Sequence, residues 1–240
     1  MVEYIDCLGI AESIKGQVRK RLGGETAELV VCKTDDAKDN EIFLRGILKD
    51  AAELGVNVTI VGGDLAGMPR DVDGILCLGK PVRQIASPLD IDGAVSDHYQ
   101  RAVVSAAIRV IQENGGCDGK VATIIGRGIG KDIAKELLEL NATVAVCHSH
   151  TRNDDIFNLM RTSDIVVTAA RGFEVSTDYM AHRALCIDIG CNTTIGNYGN
   201  VRITPRKNGI GVVTRAILFD RISLLKCGKS GSRSTITDVI

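Results

Sequence analysis

Residues 121–147 read VATIIGRGIGKDIAKELLELNATVAVC, and this stretch decides the fold. Val121 to Ile125 reads as a strand, β-branched at every position but Ala122. Gly126 to Gly130 is a glycine-rich turn, Asp132 to Leu140 has helical spacing of its apolar residues, and Thr143 to Cys147 is a second strand-like run. A strand, a helix and a second strand in that order form a βαβ unit, whose crossover is right-handed and whose strands are parallel. Downstream, strands are predicted at Asp164 to Thr168 and Leu185 to Ile189, with a short helix from Asn153 to Arg161 between the second strand and the third. This half therefore reads as a doubly wound parallel sheet. Upstream the alternation continues, with helices at Glu12 to Leu22 and Glu41 to Leu54, the latter closed by Gly55, and strands at Ala27 to Cys32, Val58 to Val61 and Gly74 to Leu78. Pro81 to Pro88 reads as a loop, Ala102 to Asn114 as a helix ended by Gly115-Gly116, and Gly209 to Leu225 as a turn leading into a long amphipathic helix.

The expected fold is α/β: an N-terminal α/β domain over 1–100, joined by the C-terminal helix 212–229, and a Rossmann-type domain over 101–211. Residues 230–240 are expected to be a flexible polar tail. Of the 240 residues, 45% are hydrophobic and 25% charged, the balance of an ordinary globular protein, which disfavours disordered and fibrous classes. With 29 basic against 30 acidic residues and no basic stripe, no nucleic-acid partner is expected. No apolar run approaches the ~20 residues of a membrane span, and the acidic start of the chain resembles no signal peptide, so neither a membrane partner nor secretion is expected. The eight cysteines occur singly, without a Cys-x-x-Cys, as in reduced cytoplasmic proteins. A zinc site built from His148, His150, Cys186 and Cys191 fits no familiar spacing, so no metal is expected and buried thiols are the simpler reading.

Gly126, Gly128 and Gly130 follow a strand and open a helix, the context in which backbone N–H groups and the helix dipole receive a phosphate. The alternative is a tight β-to-α turn without a ligand. An NAD site usually carries Asp or Glu at the end of the second strand, to bind the ribose hydroxyls. Here that position reads Cys147-His148-Ser149-His150-Thr151-Arg152, with no carboxylate before Asp154. Hydroxyls and cations suit a 2′-phosphate, so NADP is favoured over NAD. Arg152 reads equally well as a solvated loop residue.

The order of these elements resembles the methylenetetrahydrofolate dehydrogenase/cyclohydrolases. The match runs through Ile124-Ile125-Gly126-Arg127, Ala142-Thr143-Val144, Cys147-His148-Ser149, Ser163 to Val167, Ile187 to Asn192, Ile203-Thr204-Pro205 and Gly209-Ile210-Gly211 with Thr214. In the first half the helix ending at Gly55, Val72 to Leu76 and Asp90-Ile91-Asp92-Gly93 are also similar. The resemblance implies a folate cleft between the domains, a homodimer, and hydride transfer from 5,10-methylenetetrahydrofolate to NAD(P). It implies Arg127 and Ser149 at the 2′-phosphate, Asp92 on the pterin, Phe43 as a stacking face, and Gly209 and Gly211 at the substrate. Read from the residues alone, Asp92 equally makes an Asx turn before Gly93, and Phe43 is a core residue.

The chain also departs from the family. Where the family carries Tyr-x-x-x-Lys, this sequence has Phe43 and Ile47. The Gln that supports that Lys is Leu78, Arg101 to Ser105 replaces a Cys-Thr-Pro-x-Gly stretch, and Arg206-Lys207-Asn208 replaces most of a Pro-Gly-Gly loop. No catalytic residue is therefore assigned. The expected function is an NADP-preferring methylenetetrahydrofolate dehydrogenase without cyclohydrolase activity. An oxidoreductase acting on another pterin or cyclic amine, with Lys80 near its substrate, and a non-catalytic NADP- or folate-binding protein are the alternatives.

Overall fold

The computed structural model describes residues 2–170, 172–197 and 200–234, with side chains described to residue 228. Its elements in chain order are β1 (Glu3–Tyr4), α1 (Cys7–Leu22), β2 (Ala27–Lys33), α2 (Lys38–Leu54), β3 (Val56–Val61), β4 (Gly74–Leu78), α3 (Ala102–Glu113), β5 (Val121–Ile125), α4 (Ile129–Glu139), β6 (Thr143–Cys147), α5 (Asn153–Arg161), β7 (Ile165–Thr168), β8 (Val175–Ser176), β9 (Leu185–Asp188), β10 (Thr193–Thr194), β11 (Arg202–Ile203) and α6 (Ile210–Ser234). The described residues fall into two compact units, 2–10 with 103–213 and 11–102 with 214–234.

The first unit is built on a six-stranded sheet in the order β1-β11-β9-β7-β5-β6, parallel at every pairing. The inner strands β7 and β9 are buried along their whole length, as a sheet covered on both faces requires. From β5 the chain runs outward to β6, then crosses to the other side as β7. That reversal makes the carboxyl ends of β5 and β7 the topological switch point, where ligands of open α/β sheets bind. Residues 2–10, which the sequence reading groups with the first domain, lie in this unit because β1 pairs with β11.

The second unit is a three-stranded parallel sheet in the order β3-β2-β4. Val30, Val31 and Cys32 of its central strand are inaccessible to solvent. One face is covered by α1, α2 and α6, whose Val18, Ile47 and Phe219 are each fully buried. The other face is covered by loops that contribute Val72, Val82 and Ile85. A buried ion cluster ties the three helices: Asp50 Oδ1 accepts from Lys15 Nζ at 2.7 Å, and Asp50 Oδ2 accepts from Arg215 Nε at 2.6 Å. Burial alone would lower the Lys15 pKa, but its hydrogen bonds to Asp50 and Glu53 outweigh that and hold it above the ordinary value. Residues 230–234, expected to belong to a flexible tail, continue α6 to Ser234, and the rest of that tail lies outside the described residues.

Candidate functional site

The switch point of the six-stranded sheet opens into a cavity of about 510 Å³. Gly126 forms its floor. Its φ of +111° is open to glycine, and a Cβ there would lie 2.7 Å from the backbone N of Ala170, so the loop after β7 closes directly onto it. The Gly126 N–H donates to Cys147 O at 2.8 Å, which fixes the start of the turn beside the end of β6. Gly128, at the N-cap of α4, has open space where a side chain would stand, so a ligand has room to approach the first turn of the helix. Gly130 is buried and packs against Ile124, seating α4 on the sheet.

Arg127, His148, Ser149 and Thr151 supply the polar side of the cavity. The turn carrying them is braced by Thr151, whose Oγ1 accepts from His148 N at 3.0 Å while its N–H donates to His148 O at 2.8 Å. Arg127 and Ser149 are both exposed, and among the described residues none lining the cavity is acidic. Arg152 stands apart. It makes a two-pronged ion pair with Asp155, at 2.8 and 3.0 Å, on the surface of α5 and does not line the cavity. The solvated-loop alternative describes its position.

The loops after β7 and β9, of which Ala170 lines the cavity, are tied by Asp188, to which sequence reasoning assigned no role. Its carboxylate accepts Thr168 Oγ1 at 2.6 Å, Asn192 N at 3.2 Å and Thr193 N at 3.1 Å, and Asn192 reaches back to Ala170 O. Asp188 thus holds the loops after β7 and β9 in register. An acid ending one strand beside a Thr ending its neighbour was the available signal. Gly209 is buried against Pro205 O before α6, and Gly211, in the first turn of α6, has no neighbour where a side chain would be.

In the second unit, neither Asp92 nor Phe43 lines the switch-point cavity. Asp92 keeps 15% of its side chain exposed, and its Oδ2 lies 3.2 Å from Arg101 Nη2. Burial pushes the Asp92 carboxyl above the usual carboxylate range, and the Arg101 charge opposes that shift. The turn before Gly93 belongs instead to Asp90, whose Oδ2 accepts Val95 N at 2.8 Å and Ser96 N at 2.9 Å. Phe43 is half-buried and packs on the core cluster that contains Ile47 and Leu78. Ile47 is fully buried and Leu78 is 5% exposed, so both replaced positions belong to an apolar core. Lys49, two positions along α2, is exposed, and Lys80 lines a separate cavity of about 410 Å³ with Thr34 and Arg83. Among the described residues no cluster of three His, Cys, Asp or Glu side chains is placed to hold a metal ion.

The glycine cradle, the cation and the hydroxyls fit the phosphates of a dinucleotide. Comparison with known proteins points the same way. The sequence profile of the tetrahydrofolate dehydrogenase/cyclohydrolase NAD(P)-binding domain matches residues 102–227. A relative from Thermotoga maritima, named bifunctional protein FolD, is 28% identical over 263 aligned positions, which cover 91% of this chain and 96% of the relative. The fold is shared with the Trypanosoma brucei methylenetetrahydrofolate dehydrogenase-cyclohydrolase solved with NADP and an inhibitor, at 21% identity and a TM-score of 0.75 over 93% of this chain and 95% of that one. It is shared equally with the NAD-dependent methylenetetrahydrofolate dehydrogenase of Saccharomyces cerevisiae, at 15% identity and a TM-score of 0.78 over 96% of this chain and 99% of that one. One fold thus occurs in an enzyme solved with NADP and in an NAD-dependent one. With more than half its length matched by the family profile, the chain belongs to the tetrahydrofolate dehydrogenase/cyclohydrolase family.

Proposed function

We propose that the protein is an NADP-preferring oxidoreductase of one-carbon metabolism. It would oxidise 5,10-methylenetetrahydrofolate to the methenyl compound and lack the subsequent cyclohydrolase step. One observation carries the cofactor preference: a cavity at the sheet's switch point that presents Arg127 and Ser149 and no carboxylate. A cation and a hydroxyl complement a 2′-phosphate, whereas an acid in that place would repel it. The bound nicotinamide supplies the hydride acceptor. What remains for the chain is to bind and orient: Gly126, Gly128 and the first turn of α4 for the pyrophosphate, Arg127 and Ser149 for the 2′-phosphate, and Asp92 for the pterin edge. Hydride transfer needs little acid or base from the protein, so the absence of a Lys at position 47 is compatible with it.

Hydrolysis of the methenyl bridge is different, because it requires a group that moves protons. The positions where the family resemblance places Lys and Gln hold Ile47 and Leu78, packed into the same apolar cluster. No proton donor stands there. A homodimer is supported by the open edge of the six-stranded sheet, where Val146 of β6 and Leu138 of α4 are exposed. A cytoplasmic setting is supported by eight cysteines that are all free thiols.

The test is an absorbance assay of the purified protein with methylenetetrahydrofolate and either NADP or NAD, alongside hydrolysis of methenyltetrahydrofolate. Turnover faster with NADP, and hydrolysis no faster than in buffer, are expected. Absence of turnover with both nucleotides would overturn the oxidoreductase reading, and hydrolysis well above the buffer rate would overturn the loss of cyclohydrolase.

A further inference from the structure

The loop 93–101 is closed by contacts at its base. Asp92 O accepts Ala102 N at 3.1 Å, and Arg221 Nη1 donates to Ile91 O at 2.6 Å. The Arg221 guanidinium also lies 4.7 Å from the centroid of the Tyr99 ring. Gly93, at φ +65°, sits against Tyr99 O where no side chain would fit. These contacts hold the backbone of Asp92 and Arg101 side by side. The Arg101 side chain is 43% exposed and lies with Nη2 on Asp92 Oδ2.

A guanidinium offers a carboxylate a planar pair of N–H donors. The 2-amino group and adjacent ring N–H of a reduced pterin offer the same pair. The two cannot occupy one carboxylate edge together. We propose that Arg101 is a specificity-determining residue that competes with substrate, its guanidinium standing on Asp92 where the aminopyrimidine edge of a reduced pterin binds. The inference rests on the folate reading above and deepens it. Arg101 must swing into solvent before a pterin seats on Asp92. Because the loop base fixes its backbone, that movement belongs to the side chain alone. With its Arg101 end 43% exposed, the ion pair is weakened by solvent, so the competition lowers pterin affinity only modestly.

The experiment is calorimetric titration of the wild type, R101A and R101Q with two probes, tetrahydrofolate and 6-methyltetrahydropterin, which has the aminopyrimidine edge and no glutamate tail. Both variants are expected to bind both probes about twofold to fivefold more tightly than the wild type. In the D92N background the gain on R101A should disappear. Unchanged affinity for both probes would overturn the role of Arg101 while leaving the folate reading intact. Weaker binding of tetrahydrofolate alone would place Arg101 on the glutamate tail, and weaker binding of both would make it a pterin donor; either result overturns the proposal. No binding of either probe by any form would overturn the folate reading together with it. Unchanged melting temperatures of R101A and R101Q would show that altered binding is not a folding defect.

Discussion

Ser149 lies within the turn after β6 and lines the switch-point cavity with only a hydroxyl to offer. An Asp at this position would put a negative charge at the proposed 2′-phosphate site, while giving the ribose hydroxyls of NAD an acceptor. S149D is therefore expected to shift preference from NADP toward NAD, and the ratio of kcat/KM for the two nucleotides measures it; an unchanged ratio would show that this turn does not read the phosphate. In the proposed function Asp92 is the corresponding residue for the pterin. Replacing it with Asn exchanges one acceptor oxygen for a donor, and reduced-folate binding should weaken by about 1.5–3 kcal/mol with NADPH binding nearly intact, as calorimetry would register. Its pH dependence follows from its burial. The carboxyl is raised above the usual carboxylate range and is ionised only above that raised value. Reduced-folate affinity should therefore fall on acidification at a higher pH than an exposed Asp would produce, and this dependence should be absent in D92N. The sequence already pointed to Asp92. Its pairing with Arg101 was not legible, because eight residues lie between the two and only the closure of the loop brings them together.

At the scale of elements, legibility follows length. The strands Val121–Ile125, Thr143–Cys147 and Gly74–Leu78 and the helix Asn153–Arg161 coincide with their sequence readings, because runs of five or more residues show their period. The two-residue strands β1, β8, β10 and β11 are too short to show any, and pairing with neighbours alone defines them. α1 begins at Cys7, five residues before the sequence reading places it. Asp6 Oδ1 accepts Gly9 N at 2.8 Å, a cap-like contact whose signal was an Asp just ahead of an apolar run. The register of α2 was legible and has a consequence. Phe43, Ile47 and Asp50 share one face by helical spacing, and Ile47 meets the cluster that contains Leu78. An ammonium introduced there alone has no partner, so I47K is expected to lose about 3–5 kcal/mol in denaturant unfolding and to gain no cyclohydrolase activity. I47K/L78Q should recover part of that stability and some hydrolysis of methenyltetrahydrofolate. A fully stable I47K would show that position 47 is better solvated than its burial indicates.

At the scale of the whole molecule, chain order and packing order differ. The unit that includes 11–102 is completed by the part of α6 from Thr214 onward, which follows 103–213 in sequence. α6 gives that unit Leu218, Phe219 and Ile222, with 1% exposure or less, together with Arg215 on Asp50 and Arg221 on Ile91 O. Truncating a buried Phe costs about 3–5 kcal/mol and a buried Leu or Ile about 2–5 kcal/mol. Losing all three side chains, non-additivity allowed, approaches the roughly 5–15 kcal/mol that stabilises a domain. The other unit uses only the first turn of α6, through Val212 and Val213. A chain ending at Val213 is therefore expected to retain NADPH binding in a fluorescence titration. Its segment 11–102 should at the same time exchange amide hydrogens as an unfolded chain does. Full-length protection of β2 in the truncated protein would show that this sheet holds its core without α6. Loss of NADPH binding would show that the nucleotide unit depends on more of the helix than its first turn.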